Sequence, residues 1–478
     1  MRALLILSIF IFHGQAHAKK EKPNFIIFIA DDVSWDDLGC YGNKFVQTPN
    51  IDNLASQGLK FTNTYLTASS CSPSRNSILL SRYPHNTGGA ELHTKPPAEM
   101  VSFPELLKNK GYYTLHAGKY HQGDYSERAY DVIYRDKRNL NGGEGMWIES
   151  VQSRPKDKPF FMWFAAFDAH RNWGENEFSG THNPDEIKPP FYLSDGDDTK
   201  KDLGQYYDEI KRFDYYIGEI VKILKEQKAY ANTVIMVMAD NGRPFPHSKT
   251  RVNDRGMKTP FVVSWPEKVK EAQTCDALVS AIDIGPTLLD LAEMDPVKSI
   301  QGKSFSTLID NPGADFRNYV FAEHNWHDYE AHERMVRNKD YMLIVNARPN
   351  KPQMGPADAV GSPSFTDLKK MEAKGELSAI QADVFVTPRP KEELYDLNKD
   401  KLQLMNVASV PEYGSSLNDL RKVLQQWVDE TGDNTPANLT QDWYLGVPGY
   451  IKTAAHSNRG EMPGQKTNAV KNNNPGPF

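Results

Sequence analysis

The sequence predicts an α/β fold in which a large sheet is covered by helices, followed by a smaller C-terminal region. Segments 24–30, 159–167 and 233–239 are continuously apolar, which is typical of strands buried on both faces. Residues 202–230 instead carry apolar side chains three and four positions apart, as on one face of a long amphipathic helix. Buried strands together with a one-sided helix indicate helices packed on a sheet.

Composition excludes several classes of protein. The chain has 478 residues, of which 39% are hydrophobic and 11% aromatic, so it can bury a large core. A formal net charge of −6 provides no basic surface for nucleic acid. The three cysteines, Cys40, Cys71 and Cys275, are too few for a disulfide framework, and pairing of Cys40 with Cys275 remains open.

The N-terminus has the pattern of a secretory signal over residues 1–18. Arg2 is basic, residues 3–12 are apolar, and Ala16-His17-Ala18 is a small-x-small cleavage site. The mature chain is expected to begin near Lys19, and the protein to be exported, periplasmic or secreted. A membrane-spanning helix needs roughly 20 apolar residues, so no membrane insertion is expected.

Polar side chains follow four predicted strands. They are Asp31 and Asp32 after the first strand, Lys119 and His121 after 112–117, His170 after 159–167, and Asp240 and Asn241 after 233–239. Ligands bind at the carboxyl edge of open α/β sheets, so these groups are predicted to share one site. Each group alone could be a polar residue at the surface, but agreement among four strands favours a site.

The chemistry of this set indicates a hard cation. Three carboxylates and one amide, without paired Cys or His ligands, suit Ca²⁺ better than Zn²⁺, and Mg²⁺ is a weaker candidate. Asp31, Asp32 and Asp240 would repel each other and an anionic substrate without a cation between them.

The stretch 70–75 places a thiol directly before a predicted helix. Pro73 suits a first helical turn, and free N–H groups there, with Arg75, could bind an anion that Cys71 faces. The alternative is an ordinary buried cysteine before a helix.

The pattern Cys-x-Pro-Ser-Arg resembles the signature of type I sulfatases, in which the cysteine becomes Cα-formylglycine. The resemblance implies an alkaline-phosphatase-like α/β/α sandwich with a large mixed sheet and a smaller C-terminal α+β subdomain with a short antiparallel sheet. It also implies that a formylglycine-generating or sulfatase-maturing enzyme modifies Cys71 to the nucleophile. One departure is Leu80-Ser81-Arg82, where the family usually has Thr-Gly-Arg.

The resemblance further implies roles for individual residues. Ca²⁺ would be held by Asp31, Asp32, modified Cys71, Asp240 and Asn241, and the sulfate by Arg75, Lys119 and Lys249. His170 would protonate the leaving group, His121 would take a proton during sulfate release, and His85 would touch the sugar. Lys249 is assigned by counting back from Pro260, and the nearer Lys258 is expected to support the site or lie on the surface. Further candidates for sugar contact, or surface residues, are His93, Arg251, His324 and His327.

The segment 240–246 is most similar to heparan N-sulfatases (sulfamidases) and bacterial polysaccharide sulfatases. The expected substrate is therefore a sulfated polysaccharide or oligosaccharide. N-sulfoglucosamine hydrolysis is one alternative, and a phosphate or phosphonate monoester hydrolase of the same superfamily is another. A non-catalytic glycan-binding protein is the third, which retention of the site residues argues against.

Three regions are expected after the signal segment. They are a catalytic domain at 19–300, a C-terminal α+β subdomain at 301–435 and an irregular extension at 436–478, either docked on the body or partly disordered. Within the second, a hairpin is predicted around 335–344 and a closing helix at 416–430.

Overall fold

The strand Asn24–Ala30 lies in the middle of a large sheet, and the rest of the fold is built outward from it. A computed structural model of the protein describes residues 21–135, 143–442 and 459–478. The predicted signal segment 1–18 lies outside the described residues. Within those ranges no helix combines the length and apolar character needed to cross a membrane.

The strands are numbered along the chain. They are β1 (Asn24–Ala30), β2 (Leu59–Phe61), β3 (Thr64–Tyr65), β4 (Tyr113–Gly118), β5 (Val132–Tyr134), β6 (Phe160–Ala165), β7 (Thr233–Ala239), β8 (Phe261–Ser264), β9 (Gln273–Cys275), β10 (Val279–Ser280), β11 (Val320–Trp326), β12 (Glu330–Arg337), β13 (Tyr341–Asn346) and β14 (Glu392–Asp396).

The α-helices follow the same numbering. They are α1 (Pro49–Ser56), α2 (Cys71–Leu80), α3 (Pro84–Thr87), α4 (Phe103–Asn109), α5 (Trp147–Ser153), α6 (Asp197–Glu226), α7 (Asp254–Met257), α8 (Ile284–Leu291), α9 (Ser306–Asp310), α10 (Ala357–Val360), α11 (Pro363–Lys374), α12 (Ala379–Ala382) and α13 (Gly414–Thr431).

The large sheet has the strand order β5-β4-β6-β1-β7-β8-β2-β9. Pairing is parallel between β1 and its neighbours β6 and β7, and between β4 and its neighbours β5 and β6. β8 runs antiparallel to both β7 and β2. The sheet is therefore mixed, as predicted, and the carboxyl ends of β1, β4, β6 and β7 meet at one edge.

Alternate side chains of β1 point into two apolar cores. Phe25 and Ile27 pack in the core that includes α2, α4 and α8, whereas Ile26 and Phe28 pack in the core that includes α1, α5 and α6. Burying such a side chain contributes roughly 1.5–3 kcal/mol, which explains why both faces of the strand are apolar. The fold is the predicted α/β/α sandwich.

The long helix α6 covers Asp197–Glu226 rather than the predicted 202–230. The helix begins before the apolar pattern does, because Asp367 holds its first turn. The Asp367 Oδ2 accepts from the Thr199 backbone N–H at 3.1 Å and from the Thr199 hydroxyl at 3.0 Å. The helix ends at Glu226, before the predicted residue 230. Lys228, just beyond it, has a φ of 57°, which is not a helical conformation.

The strands β11 to β14 form a four-stranded antiparallel sheet, which confirms the predicted C-terminal sheet. Helix α13 packs on one face through Leu420, Leu424 and Trp427. From the other face, Met335 and Met342 join the core that contains α2, α4 and α8. The C-terminal region thus shares a core with the large sheet.

The described end of the chain, 459–478, docks on the body through Arg82. This buried side chain donates to the carbonyls of Val470 at 3.1 Å and Asn472 at 2.6 Å and to the side chain of Asn473 at 2.7 Å. Its neighbour Ser81 has φ 54° at the end of α2, a left-handed conformation that glycine adopts most easily.

Cys40 and Cys275 are free thiols. Cys40 packs against the core that includes α6, and Cys275 lies in the core on the opposite face of the sheet. The sheet therefore separates the two cysteines whose pairing the sequence left open.

Candidate active site

The polar groups predicted at the strand ends meet at one edge of the large sheet, where α2 also begins with Cys71. The Cys71 Sγ lies 3.7 Å from Asp31 Oδ1 and 3.8 Å from Asp32 Oδ1. The Asp240 Oδ1 accepts from the Asp32 backbone N–H at 3.1 Å. The ends of two strands, β1 and β7, and the start of α2 therefore converge on the thiol.

The donor atoms of this cluster suit a metal ion. One ligand atom each from Asp31, Cys71 and Asp240 lies within 4.8 Å of the others. Asn241 donates through Nδ2 to Asp32 Oδ1 at 2.6 Å, while its Oδ1 is buried and has no hydrogen-bond partner in the described part of the chain. A buried orphaned oxygen beside three carboxylates is what a hard cation would satisfy.

Each of the three carboxylates is paired with a cation. Arg75 Nε donates to Asp240 Oδ2 at 2.8 Å, Lys119 forms a short ion pair with Asp31, and Lys249 Nζ lies 2.7 Å from Asp32 Oδ2. Both terminal nitrogens of Arg75 are buried without a hydrogen-bond partner among the described residues. The site thus offers positive charge and free N–H donors to an anion.

Burial shapes the ionisation of this cluster. It raises the pKa of the Cys71 thiol well above its usual range, although Lys119 and Lys249 act in the opposite direction. Burial also raises the pKa of Asp240, which Arg75 offsets in part. An unmodified Cys71 would therefore be protonated at neutral pH and a poor nucleophile.

Two histidines stand beside the cluster in different surroundings. The His121 Nε2 lies 2.8 Å from Nδ1 of His93, and burial together with the Lys119 charge holds the pKa of His121 well below its usual range. The His170 Nε2 lies 3.9 Å from Asp32 Oδ2, and its side chain is 35% exposed. His121 is therefore neutral, whereas His170 is partly exposed to the opening.

A cavity of about 600 Å³ opens over the site. It is lined by Ser72, His93, Thr94, Lys95, Lys119, Tyr120, His121, Gln122, Gly123, Asp124, Arg135, Phe167 and His170. Most of these residues carry a polar or charged group that can form hydrogen bonds with a hydrophilic substrate.

The prediction that His85 touches a sugar does not fit its surroundings. His85 is 1% exposed, its Nδ1 lies 2.8 Å from Glu323 Oε1, and its Nε2 lies 3.0 Å from Thr431 Oγ1. Both ring nitrogens are engaged inside the C-terminal region, because β11 and α13 close over the ring.

The other candidates from the sequence divide between the site and its surroundings. Arg251 is buried against Asp383, and His324 is buried in the C-terminal region, so neither is a surface residue. His327 Nδ1 lies 2.7 Å from the hydroxyl of Ser70, next to Cys71. The Lys258 ammonium lies 4.2 Å over the ring of Trp35, away from the carboxylates.

Asp358 is a site residue that the sequence did not indicate. Its Oδ2 lies 3.2 Å from Lys249 Nζ and 3.8 Å from His170 Nε2. It belongs to the four-residue helix α10, which follows β13 and has too little periodicity to be recognised in the sequence. No local signal could have placed it beside a lysine more than a hundred positions earlier.

Comparison with known proteins gives a consistent result. A sequence model of the sulfatase family matches residues 23–294, and one of the C-terminal part of N-sulphoglucosamine sulphohydrolase matches residues 247–351. An ulvan-active sulfatase of Formosa agariphila is 28% identical, over 88% of this chain and 77% of that protein. The human N-sulphoglucosamine sulphohydrolase is 28% identical, and the match covers 86% of this chain and 90% of the human protein.

Solved structures share the fold. A protein determined in complex with its substrate D-glucosamine-2-N,6-O-disulfate matches with a TM-score of 0.69 and 20% identity, covering 86% of this chain and 98% of that one.

Proposed function

The chain belongs to the sulfatase family and hydrolyses sulfate esters, and we propose that its substrate is a sulfated polysaccharide or oligosaccharide attacked by a formylglycine derived from Cys71. The observation that carries this proposal is the position of Cys71. It begins α2 within 4 Å of two carboxylates, at the point where Arg75, Lys119 and Lys249 also converge.

Modification of Cys71 would give position 71 a better nucleophile than the thiol. The buried thiol has a raised pKa, so it holds little of the thiolate needed for attack. A maturing enzyme would replace the thiol by an aldehyde, which takes up one water to form two hydroxyl groups on the same carbon. We expect this enzyme to be a partner during export, to the periplasm or the medium, as the signal pattern at residues 1–18 indicates.

Ca²⁺ is the proposed metal, and Asp31, Asp32, Asp240, Asn241 and the oxygen at position 71 would hold it. The oxygen-rich donor set and the orphaned Asn241 Oδ1 support this choice over Zn²⁺. When bound, the cation supplies positive charge that offsets the carboxylates and favours an ionised oxygen at position 71.

Three cations of the chain bind the sulfate group in this proposal. Arg75 offers its two free terminal nitrogens, and Lys119 and Lys249 each keep N–H donors beyond their carboxylate partners. Such fixed donors stabilise the negative charge that moves onto sulfate oxygens in the transition state.

The proposed reaction has two steps. One hydroxyl at position 71 loses its proton to Asp240 and attacks sulfur, the bond between sulfur and the sugar oxygen breaks, and His170 donates a proton to that oxygen. The second hydroxyl then gives its proton to His121, the carbon–oxygen bond to sulfate breaks, and the aldehyde returns. The lowered pKa of His121 keeps its imidazole neutral and so able to take up a proton, and the exposure of His170 supports contact with the leaving group.

Two relatives support a saccharide substrate, one named for ulvan and one for N-sulphoglucosamine. Hydrolysis of N-sulfoglucosamine is the second candidate, favoured by the match over residues 247–351. The test is to incubate the purified protein with a panel of sulfated polysaccharides and with N-sulfoglucosamine, and to measure released sulfate. Faster turnover of nitrophenyl phosphate than of nitrophenyl sulfate would instead favour a phosphate or phosphonate ester hydrolase.

A further inference from the structure

Asp358 brings a negative charge from the C-terminal region into a site built by the large sheet. The two family matches end at residues 294 and 351, so neither includes it. It occupies the first turn of α10, and the N–H of Ala357 donates to Asp328 Oδ2 at 3.0 Å, which fixes the start of that helix. The carboxylate is therefore held in place by its own element.

The contacts of Asp358 leave part of its carboxylate available. Oδ1 accepts from the N–H of Ala359 at 2.8 Å, and Oδ2 accepts from Lys249 Nζ at 3.2 Å. An ionised carboxylate has about four acceptor positions, so these two bonds do not saturate it. Its side chain is 20% exposed and His170 beside it is 35% exposed, whereas Lys249 is 1% exposed. Asp358 and His170 are therefore both partly accessible from outside, with Asp358 Oδ2 3.8 Å from His170 Nε2.

A carboxylate at this position has an electrostatic cost. Burial would raise the pKa of Asp358, but the charge of Lys249 and the proximity of His170 hold it at about 2, so the group is an anion at working pH. An anion 3.2 Å from a sulfate-binding lysine weakens the binding of sulfate. A contact with a hydrogen-bond donor of the substrate would offset that cost.

We propose that Asp358 determines specificity by accepting a hydrogen bond from a hydroxyl on the carbon next to the one that bears the scissile sulfate. The same carboxylate disfavours a second sulfate at that neighbouring carbon. His170, assigned to the leaving oxygen, lies 3.8 Å away, so the substituent next to that oxygen is the part of a sugar nearest to Asp358. This inference rests on the proposed function, because it requires sulfate to bind at Lys249.

Three aryl sulfates test this inference without knowledge of the natural sugar. They are 2-hydroxyphenyl sulfate, 2-methoxyphenyl sulfate and the disulfate of 1,2-dihydroxybenzene, which place a donor, an acceptor and an anion beside the scissile group. We expect kcat/KM of the unaltered enzyme to be about tenfold higher for the hydroxyl compound than for the methoxy compound, as for a hydrogen bond to a charged group. The disulfate should be the poorest substrate.

Two variants separate the hydrogen bond from the charge. Asp358→Ala removes both and should abolish the preference for the hydroxyl compound. Asp358→Asn keeps the shape and one acceptor, and should mainly raise kcat/KM for the disulfate relative to the other two. The matched control is Asp419→Asn, which makes the same change at a carboxylate that is 68% exposed on α13 and should leave all ratios unchanged.

The outcomes distinguish the inference from the function on which it rests. Equal losses on all three substrates would mean that Asp358 acts only through Lys249, and unchanged kcat/KM on all three would mean that it does not meet the substrate. Either result overturns the inference while leaving the sulfatase proposal intact. An unaltered, fully modified enzyme that releases sulfate from none of the three esters and from none of the sulfated saccharides would contradict the proposed function itself, and the inference with it.

Discussion

Lys249 Nζ lies 2.7 Å from Asp32 Oδ2, although 217 positions separate the two residues in the sequence. The ammonium also contacts Asp358 Oδ2 at 3.2 Å, so it joins the end of β1 to the C-terminal region. Burial would lower the pKa of Lys249, but Asp32 and Asp358 raise it well above its usual range, and the lysine stays charged. The lysine therefore keeps the positive charge that its proposed role in binding sulfate requires.

Lys249→Gln should lower kcat/KM for a sulfate ester by about 10²–10³, the range for losing one fixed donor that stabilises transition-state charge. Steady-state kinetics with nitrophenyl sulfate would measure this loss. Lys258→Gln is the matched control, because its ammonium lies over Trp35 and not beside the carboxylates. Equal activity of the two variants would remove Lys249 from the sulfate site.

Chelation of divalent metal should abolish activity and lower the melting temperature, and added Ca²⁺ should restore both. Without the cation, Asp31, Asp32 and Asp240 lose a counter-charge inside the protein. At a metal concentration 100-fold above Kd, binding contributes about 2.7 kcal/mol to the free energy of unfolding. Asn241→Leu should weaken the response to Ca²⁺, and activity that survives exhaustive dialysis against chelator would argue against the metal site.

Substitutions of the two histidines should affect the rate differently depending on the leaving group of the substrate. A general acid matters most for a poor leaving group, so His170→Ala should damage hydrolysis of a sulfated sugar far more than that of nitrophenyl sulfate. His121→Ala should slow both substrates and accumulate a sulfated enzyme, which a burst experiment would detect. Accumulation in His170→Ala instead would require the two roles to be exchanged.

Arg82 should contribute strongly to stability through the docked end of the chain. Burial lowers its pKa to about 10, and its described partners are carbonyl and amide oxygens rather than a carboxylate. Arg82→Lys cannot reach all of them and should cost roughly 2–4 kcal/mol in the free energy of unfolding, measured with denaturant. Arg128→Lys, at a side chain that is 41% exposed, should cost much less.

The sequence was sufficient to predict those parts of the site that follow regular, buried strands. Continuous apolar runs identified β1, β6 and β7, and parallel strands necessarily bring their carboxyl ends to one edge. This is why the pattern of apolar runs alone groups Asp31, Asp240 and their neighbours in one site.

What the sequence could not supply depends on long-range packing. Asp358 sits on a helix of four residues, and His85 is enclosed by Glu323 of β11 and Thr431 of α13. The start of α6 depends on Asp367, far along the chain. None of these contacts leaves a periodic pattern, because each is made by a single side chain from another element.

The mass of the peptide that contains Cys71, measured in active protein, tests the proposed nucleophile most sharply. We expect the decrease that results when the side chain CH₂–SH becomes an aldehyde, with activity proportional to the converted fraction. Cys71→Ser should fold with the same melting temperature in the presence of Ca²⁺ but lose turnover, because its single hydroxyl cannot release sulfate by returning to an aldehyde. Full activity in protein whose Cys71 is an unmodified thiol would contradict the formylglycine mechanism.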